Sequence, residues 1–282
     1  NAIIGMTLIG KQAKDAQGKD RALEKIESAS THLLGVINDI LDISKIESGK
    51  MELSPVVFDF SKMMERVLTV ITVKMQAKRQ RFSVAVAPEI PRMLFGDDQR
   101  LAQIITNILS NAAKFTPEDG RIALDVKLLQ RQGDTCTLQV SVTDSGIGIS
   151  PQEQSRLFNI FQQAEAGTAR KYGGSGLGLV ISKRLLEMMD GGIEIESEKG
   201  NGACFRFTAR LGIPATEELE PGAGLDAAEN AMGSPACDFS GKTILLVDDV
   251  DINLEIATAL LEPTCLSIDT ARNGREAVHA VA

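Results

Sequence analysis

The spacing of apolar positions changes along the chain. Between residues 21 and 48 they recur every seven: Ile26, Leu33 and Ile40 form one set, and Ala22, Ala29, Val36 and Ile43 the other. Two interleaved sets of this kind make an a/d-type seam on one helix. Leu34, Ile37 and Leu41 widen the stripe beyond a two-stranded seam, which suits a four-helix bundle. Residues 1–14 predict a shorter helix with Ile3, Ile4, Met6, Leu8 and Ile9 on its apolar side, and the polar stretch 15–20 reads as the turn between the two. Two helices bury too little to stand alone. The pattern therefore predicts that residues 1–48 dimerise the chain, or else that the hairpin lies against the next domain.

From residue 51 to 211 the pattern becomes mixed α/β. Ser61–Gln76 reads as a helix, Phe82–Ala87 as a strand ended by Pro88 and Pro91, and a strong helix runs from Asp97 or Asp98 to Lys114. Ile122–Leu129 and Thr137–Thr143 alternate like adjacent antiparallel strands around Gly133-Asp134. A helical stretch after Pro151, a glycine-rich segment, a helix over 176–190 and a hairpin of Ile193–Glu196 with Cys204–Leu211 follow. The expected architecture is an open sheet with helices on one side. Residues 213–240, rich in Pro, Gly and acid, read as a linker. Beyond it, Lys242–Asp249 has the apolar run of a buried parallel strand ending in paired carboxylates. Asn253–Leu261, Ser267–Ala271 and Gly274–Val281 extend it to βαβα.

Composition narrows the field. A chain of 282 residues with 43% apolar content suits more than one domain, and no stretch approaches the ~20 apolar residues of a membrane span. A net charge of −8 without a basic block argues against nucleic acid as a partner. Cys136, Cys204, Cys237 and Cys265 lie far apart, which points to a reducing compartment and no zinc site. The chain opens at Asn1 inside an apolar helical pattern and stops at Ala282 inside another, so it reads as a piece of a longer protein.

Three segments carry candidate chemistry. Asn107 and Asn111 stand four apart on one helix, with Gln103 a turn earlier and Lys114 close after. Their amide oxygens suit Mg²⁺ beside phosphate and water, although the same residues suit a solvated helix face. Asp144-Ser145-Gly146-Ile147-Gly148-Ile149 follows a strand; a carboxylate there can accept from the amine of adenine, or the segment is a surface turn. Gly173-Gly174-Ser175-Gly176-Leu177-Gly178-Leu179 opens a helix and offers free N–H groups to an anion, or serves as a plain loop. It fits neither the P-loop nor the dinucleotide pattern.

Taken in order, these segments resemble the N, G1, F and G2 boxes of histidine kinases, with Phe158 and Phe161 as the F box. Gly200-Asn201-Gly202-Ala203 resembles the closing glycine box, with Ala203 where the family carries Ser or Thr. Residues 28–50 resemble its second dimerisation helix. Val247-Asp248-Asp249 resembles the start of a response-regulator receiver, which makes the whole similar to a hybrid sensor histidine kinase.

The resemblance implies dimerisation helices over 1–50 and a Bergerat-type α/β sandwich binding ATP over 51–212. A linker over 213–240 and the first part of a doubly wound receiver over 241–282 complete it. It implies Asn107, Asn111 and Lys114 as the catalytic set, Asn111 on Mg²⁺ and Lys114 on phosphate. Asp144 would read adenine beside Gly146, Gly148 and Ile149. Residues 161–174 would form a lid, with Arg170, Lys171 and Tyr172 near the phosphates held by Gly174, Ser175, Gly176, Leu177 and Gly178. Asp248 and Asp249 would belong to the receiver's metal pocket.

The phosphoacceptor histidine would lie upstream of Asn1 and the receiver's aspartate beyond Ala282; His32 reads as structural, and His279 receives no role. Expected partners are a second copy through residues 1–48, an own or separate receiver, and an upstream sensor that a membrane can anchor, the present piece being cytoplasmic. Gyrase-type ATPases place a glutamate where Asn107 stands, and an amide cannot activate water. A gyrase-type ATPase is the alternative, and a non-catalytic ATP-binding dimer the third.

Overall fold

Asp15 decides where the first two helices part. In the computed structural model, which describes residues 2–158, 176–214 and 239–281, α1 is Ala2–Gln12 and α2 is Ala16–Glu47. Asp15 is extended, and its carboxylate accepts the Gly18 N–H at 3.2 Å. That cap satisfies one of the free donors of a helix start. Residues 16–20, expected to be turn, are therefore the first turn of α2. The hairpin closes tightly at Gly10, where an added Cβ would stand 3.0 Å from that of Ala22. Helix α1 has 11 residues against 32 in α2 and covers only part of it. Leu33, Leu34, Ile37, Ile40 and Leu41 remain 44–61% exposed.

The chain divides into two units, Asn1–Gly222 and Ala223–Ala282. The first holds a seven-stranded sheet built from β1 (Val56–Asp59), β2 (Arg81–Val86), β3 (Met93–Gly96), β4 (Arg121–Gln132), β5 (Thr135–Asp144), β6 (Gly192–Ser197) and β7 (Ala203–Gly212). Its order is β1-β3-β7-β5-β4-β2, with β6 also on β7. All pairings are antiparallel except β2 with β4. The short strands β1 and β3 are not foreshadowed by the apolar pattern; they exist by pairing with each other from Val56↔Gly96 to Asp59↔Met93.

Three helices supply the apolar cover: α3 (Phe60–Gln76), α4 (Asp98–Phe115) and α6 (Gly178–Met188). The short α5 (Pro151–Gln154) begins in a Ser150/Glu153 capping box. Asp59 and Asp97 cap α3 and α4 by accepting the Lys62 and Arg100 N–H groups. Burial works against the charge on Asp59, yet Arg92 at 2.8 Å and the N–H groups of Lys62 and Ser61 hold its carboxyl below the usual value.

Alternation in the central strands orients everything that follows. Cys136, Leu138, Val140 and Val142 of β5 point inward, as do Phe205, Phe207, Ala209 and Leu211 of β7. They meet Ile104, Ile105, Ile108 and Leu109 of α4 and Ile181, Leu185 and Leu186 of α6 in one core. Since side chains alternate with period two, Asp144 and its partner Ala203 fall on that same buried face.

Helix α2 is fastened to this domain near its end. Asp42, 8% exposed, accepts from Arg100 Nη1 at 2.9 Å and from Gln103 Nε2 at 3.2 Å, and Ile43 packs on the core. In the second unit, β8 (Thr243–Val247) and β9 (Ser267–Ala271) pair in parallel, joined by α7 (Asp251–Leu261) and followed by α8 (Gly274–Val281). This is the expected βαβα order; most of the expected linker lies outside the described residues. Among the described residues no helix is long and apolar enough to cross a membrane.

Candidate nucleotide site

Helix α4 separates its faces cleanly. Leu101, Ile104, Ile105, Ile108, Leu109 and Ala112 are buried, while Gln103, Asn107, Asn111 and Lys114 follow one another along a stripe that lines a cavity of about 890 Å³. The opposite walls come from Asp144 to Ile149 and from the start of α6, and a further wall comes from α2. A polar stripe on an otherwise apolar, buried helix is thus turned toward a concave cleft.

Asn107 is fixed by its neighbours. Its Nδ2 donates to Ser182 Oγ at 2.9 Å, and Ser182 is 2% exposed. A Cβ at Gly178 would stand 2.4 Å from Asn107 Oδ1, so only glycine lets the start of α6 come this close. Asn107 therefore carries out a joining task between two helices, whereas Asn111 and Lys114 face the cavity one and two turns later. Burial pushes the Lys114 ammonium down from its usual value.

Asp144 ends β5 with 8% of its surface exposed. Burial pushes its carboxyl up, and the backbone N–H groups of Gly146 and Ala203 partly offset this. The Gly146 N–H reaches Oδ1 at 2.8 Å. Asp144 also lines the cavity, and a carboxylate accepts more bonds than these two N–H groups supply. Gly148 has φ 64°, and a side chain there would strike the Glu198 carbonyl. The turn is then held from β6: Ile149 N–H donates to Ser197 Oγ at 2.8 Å, and Gln154 Nε2 donates to the carbonyls of Ile149 and Ser197 at 2.9 and 2.8 Å.

The structure thus brings Asn107, Asn111, Lys114, Asp144, Gly148, Ile149, Gly176 and Gly178 onto one cavity. Gly146 stands behind Asp144 as a donor, and Leu177 is buried in the core beneath. Leu157, not Phe158, reaches the cavity wall; Phe158 is half-buried, its ring 5.3 Å from Lys183 Nζ. Phe161, Arg170, Lys171, Tyr172, Gly174 and Ser175 lie outside the described residues. Ser182, Ser197 and Gln154 stand outside the motifs that mark the site in the sequence. Ser182 alone left a trace, as a polar residue one turn after Gly178 among Val180, Ile181 and Leu185. His32, expected to be structural, is exposed and lines the cavity from α2 beside Ser28, Thr31 and Gly35. Asp248 belongs to the second unit, where it accepts from the Val250 N–H and Asn253 Nδ2.

Residues 96–213 match the family model of histidine kinase-, DNA gyrase B-, and HSP90-like ATPases. This range holds the α4 stripe, Asp144, the start of α6 and four of the seven sheet strands in whole. The fold and the site therefore define an ATPase domain of this class. The chain is 35% identical over 279 residues to the autoinducer 2 sensor kinase/phosphatase LuxQ of Vibrio parahaemolyticus, covering 99% of this chain and 32% of that protein. It is 41% identical over 194 residues to the hybrid signal transduction histidine kinase B of Dictyostelium discoideum, covering 69% of this chain and 10% of that one. Full-length ShkA, solved in complex with AMPPNP, superposes with a TM-score of 0.59 at 25% identity, over 99% of this chain and 53% of ShkA. Over most of its length the chain is thus similar to sensor histidine kinases, one of them hybrid, and it spans about a third or less of the length of these curated relatives.

Proposed function

We propose that this chain binds Mg-ATP in the cavity between α4, the β5 end and α6, and that it serves an ATP-dependent protein-histidine kinase. The buried carboxylate of Asp144 facing the Asn107–Asn111–Lys114 stripe across one cavity carries this reading. Asp144 accepts from the adenine amine, Lys114 meets phosphate, and the free N–H groups where α6 begins draw the anionic chain toward them. Among the described residues no three acids, cysteines or histidines cluster as a metal site. A cation here would rest on neutral oxygen, phosphate and water, the set magnesium tolerates well, with Asn111 the residue to hold it.

ATP, when bound, supplies the transferable phosphoryl group. Position 107 separates transfer from hydrolysis. A carboxylate there could take a proton from water; the amide of Asn107 cannot, and one of its two N–H donors is held by Ser182. The site is suited to holding ATP until a nucleophile arrives, which disfavours the gyrase-type alternative. In our reading the nucleophile is a histidine of the longer protein. A second copy joins through α1 and α2, the βαβα unit with Asp248 and Asp249 begins a receiver, and the segment works in the cytoplasm.

Calorimetry on this chain should show ATP binding that strengthens when magnesium is added. In a chain extended upstream to include a histidine, labelled γ-phosphoryl should appear on that side chain in a base-stable, acid-labile form. Steady release of phosphate without protein labelling would favour the ATPase instead.

A further inference from the structure

A helix ends with four carbonyls that no residue of the same helix satisfies, and with a partial negative charge. In α4 this end carries the site: Lys114 sits in the last turn, Phe115 closes it, and Thr116 follows as cap. The Ala112 carbonyl accepts the Thr116 N–H at 3.0 Å. The next ones are satisfied by residues far away in sequence. Lys78 Nζ donates to the Ala113 carbonyl at 2.7 Å, to that of Lys114 at 3.0 Å and to that of Thr116 at 3.4 Å. Gln80 Nε2 donates to the carbonyls of Ala113 and Thr116 at 3.0 and 2.7 Å.

The backbone is shaped for this. Between the two side chains Arg79 takes φ 53°, the left-handed conformation that closes the turn after α3 and sends residues 78 and 80 to the same target. Gln80 is buried, and its amide nitrogen is directed at these carbonyls. The remaining carbonyl, of Phe115, lies against Gly146 in the Asp144 turn, where an added Cβ would stand 2.7 Å away. The last turn of α4 is thus gripped from one side by Lys78 and Gln80 and touched on the other by the turn that carries Asp144.

We propose that Lys78 is a positioning residue of the nucleotide site: it fixes the last turn of α4 and so aims Lys114 at the phosphates. This rests on the nucleotide reading above. Lys78 itself does not line the cavity. Its contribution should therefore be specific to the phosphate end and should pass through Lys114.

The test is a double-mutant cycle on the whole 282-residue chain, read by calorimetry with ATP and with adenosine. Lys78→Met should weaken ATP about fivefold and leave adenosine within about twofold. In a Lys114→Ala background the same change should cost nothing further for ATP. Unchanged ATP affinity in folded Lys78→Met would overturn the proposal. So would equal losses with and without Lys114, or equal losses for ATP and adenosine, since each marks a general stabiliser. If Lys78→Met does not fold, Lys78→Gln, which keeps a donor without the charge, is held to the same criteria at smaller amplitude. Absence of ATP binding by the unaltered chain would defeat the nucleotide reading itself, a result distinct from all of these.

Discussion

Asp144 is a carboxylate that the fold makes uncomfortable. Burial raises its pKa, and only two backbone N–H groups offset the loss of water. Because its folded pKa is raised, Asp144 takes stability from the fold at neutral pH, and that penalty fades as pH falls through the raised value. Nucleotide binding responds with the opposite sign. The ionised carboxylate is the acceptor for an amine, so ATP affinity should decline on acidification beginning above the usual carboxylate range. Asp144→Asn should flatten that pH profile, measured by calorimetry at several pH values. Asp144→Ala should weaken ATP by roughly ten- to hundredfold, from the loss of about 1–3 kcal/mol when the amine goes unpartnered. Unchanged affinity in the folded variant would remove Asp144 from the site. Its place was legible in the residue order, because it continues the inward set of Cys136, Leu138, Val140 and Val142. Its burial was not, since that depends on β7 lying alongside.

At the scale of elements, α2 carries two contrasting surfaces. Its apolar seam through Leu33, Ile37 and Ile40 is exposed in the single chain, where every such residue costs favourable burial. A second copy would cover it. Light scattering should therefore report a dimer at tens of micromolar, and Ile40→Asp, which sets a carboxylate into the seam, should give a monomer. A native monomer would contradict the bundle. The other surface is the Asp42 contact with Arg100 and Gln103, which ties α2 to the start of α4. Arg100→Ala would leave Asp42 without its cation, a loss of about 1–3 kcal/mol, visible as a lower denaturant midpoint. Heptad spacing announced the seam because it is local. Nothing in the sequence announced the latch, whose partners are separated by 58 and 61 residues.

At the scale of the whole molecule, the two units differ in what protects them. The first has a continuous core between sheet and helices, whereas in the second only Leu254 and Ala271 are buried among the described residues. A two-stranded parallel sheet with so little cover should open easily. Amides of 244–247 are expected to exchange much faster than those of 138–142, and comparable protection would show that the second unit is better supported than its burial suggests. Residue order alone was enough for the long amphipathic helices, the alternating central strands and the glycine-bearing turns, since each follows from a period or a backbone requirement carried by neighbours in the chain. It also placed Asn107, Asn111, Lys114 and Asp144. The folded chain was needed for β1 and β3, which exist only through pairing, and for Ser182 and Ser197, which hold the site from other elements. It was needed too for Lys78 and Gln80, whose target lies more than thirty residues away. Local pattern reports which faces must be buried, while hydrogen-bond partners distant in sequence are chosen only when the elements meet.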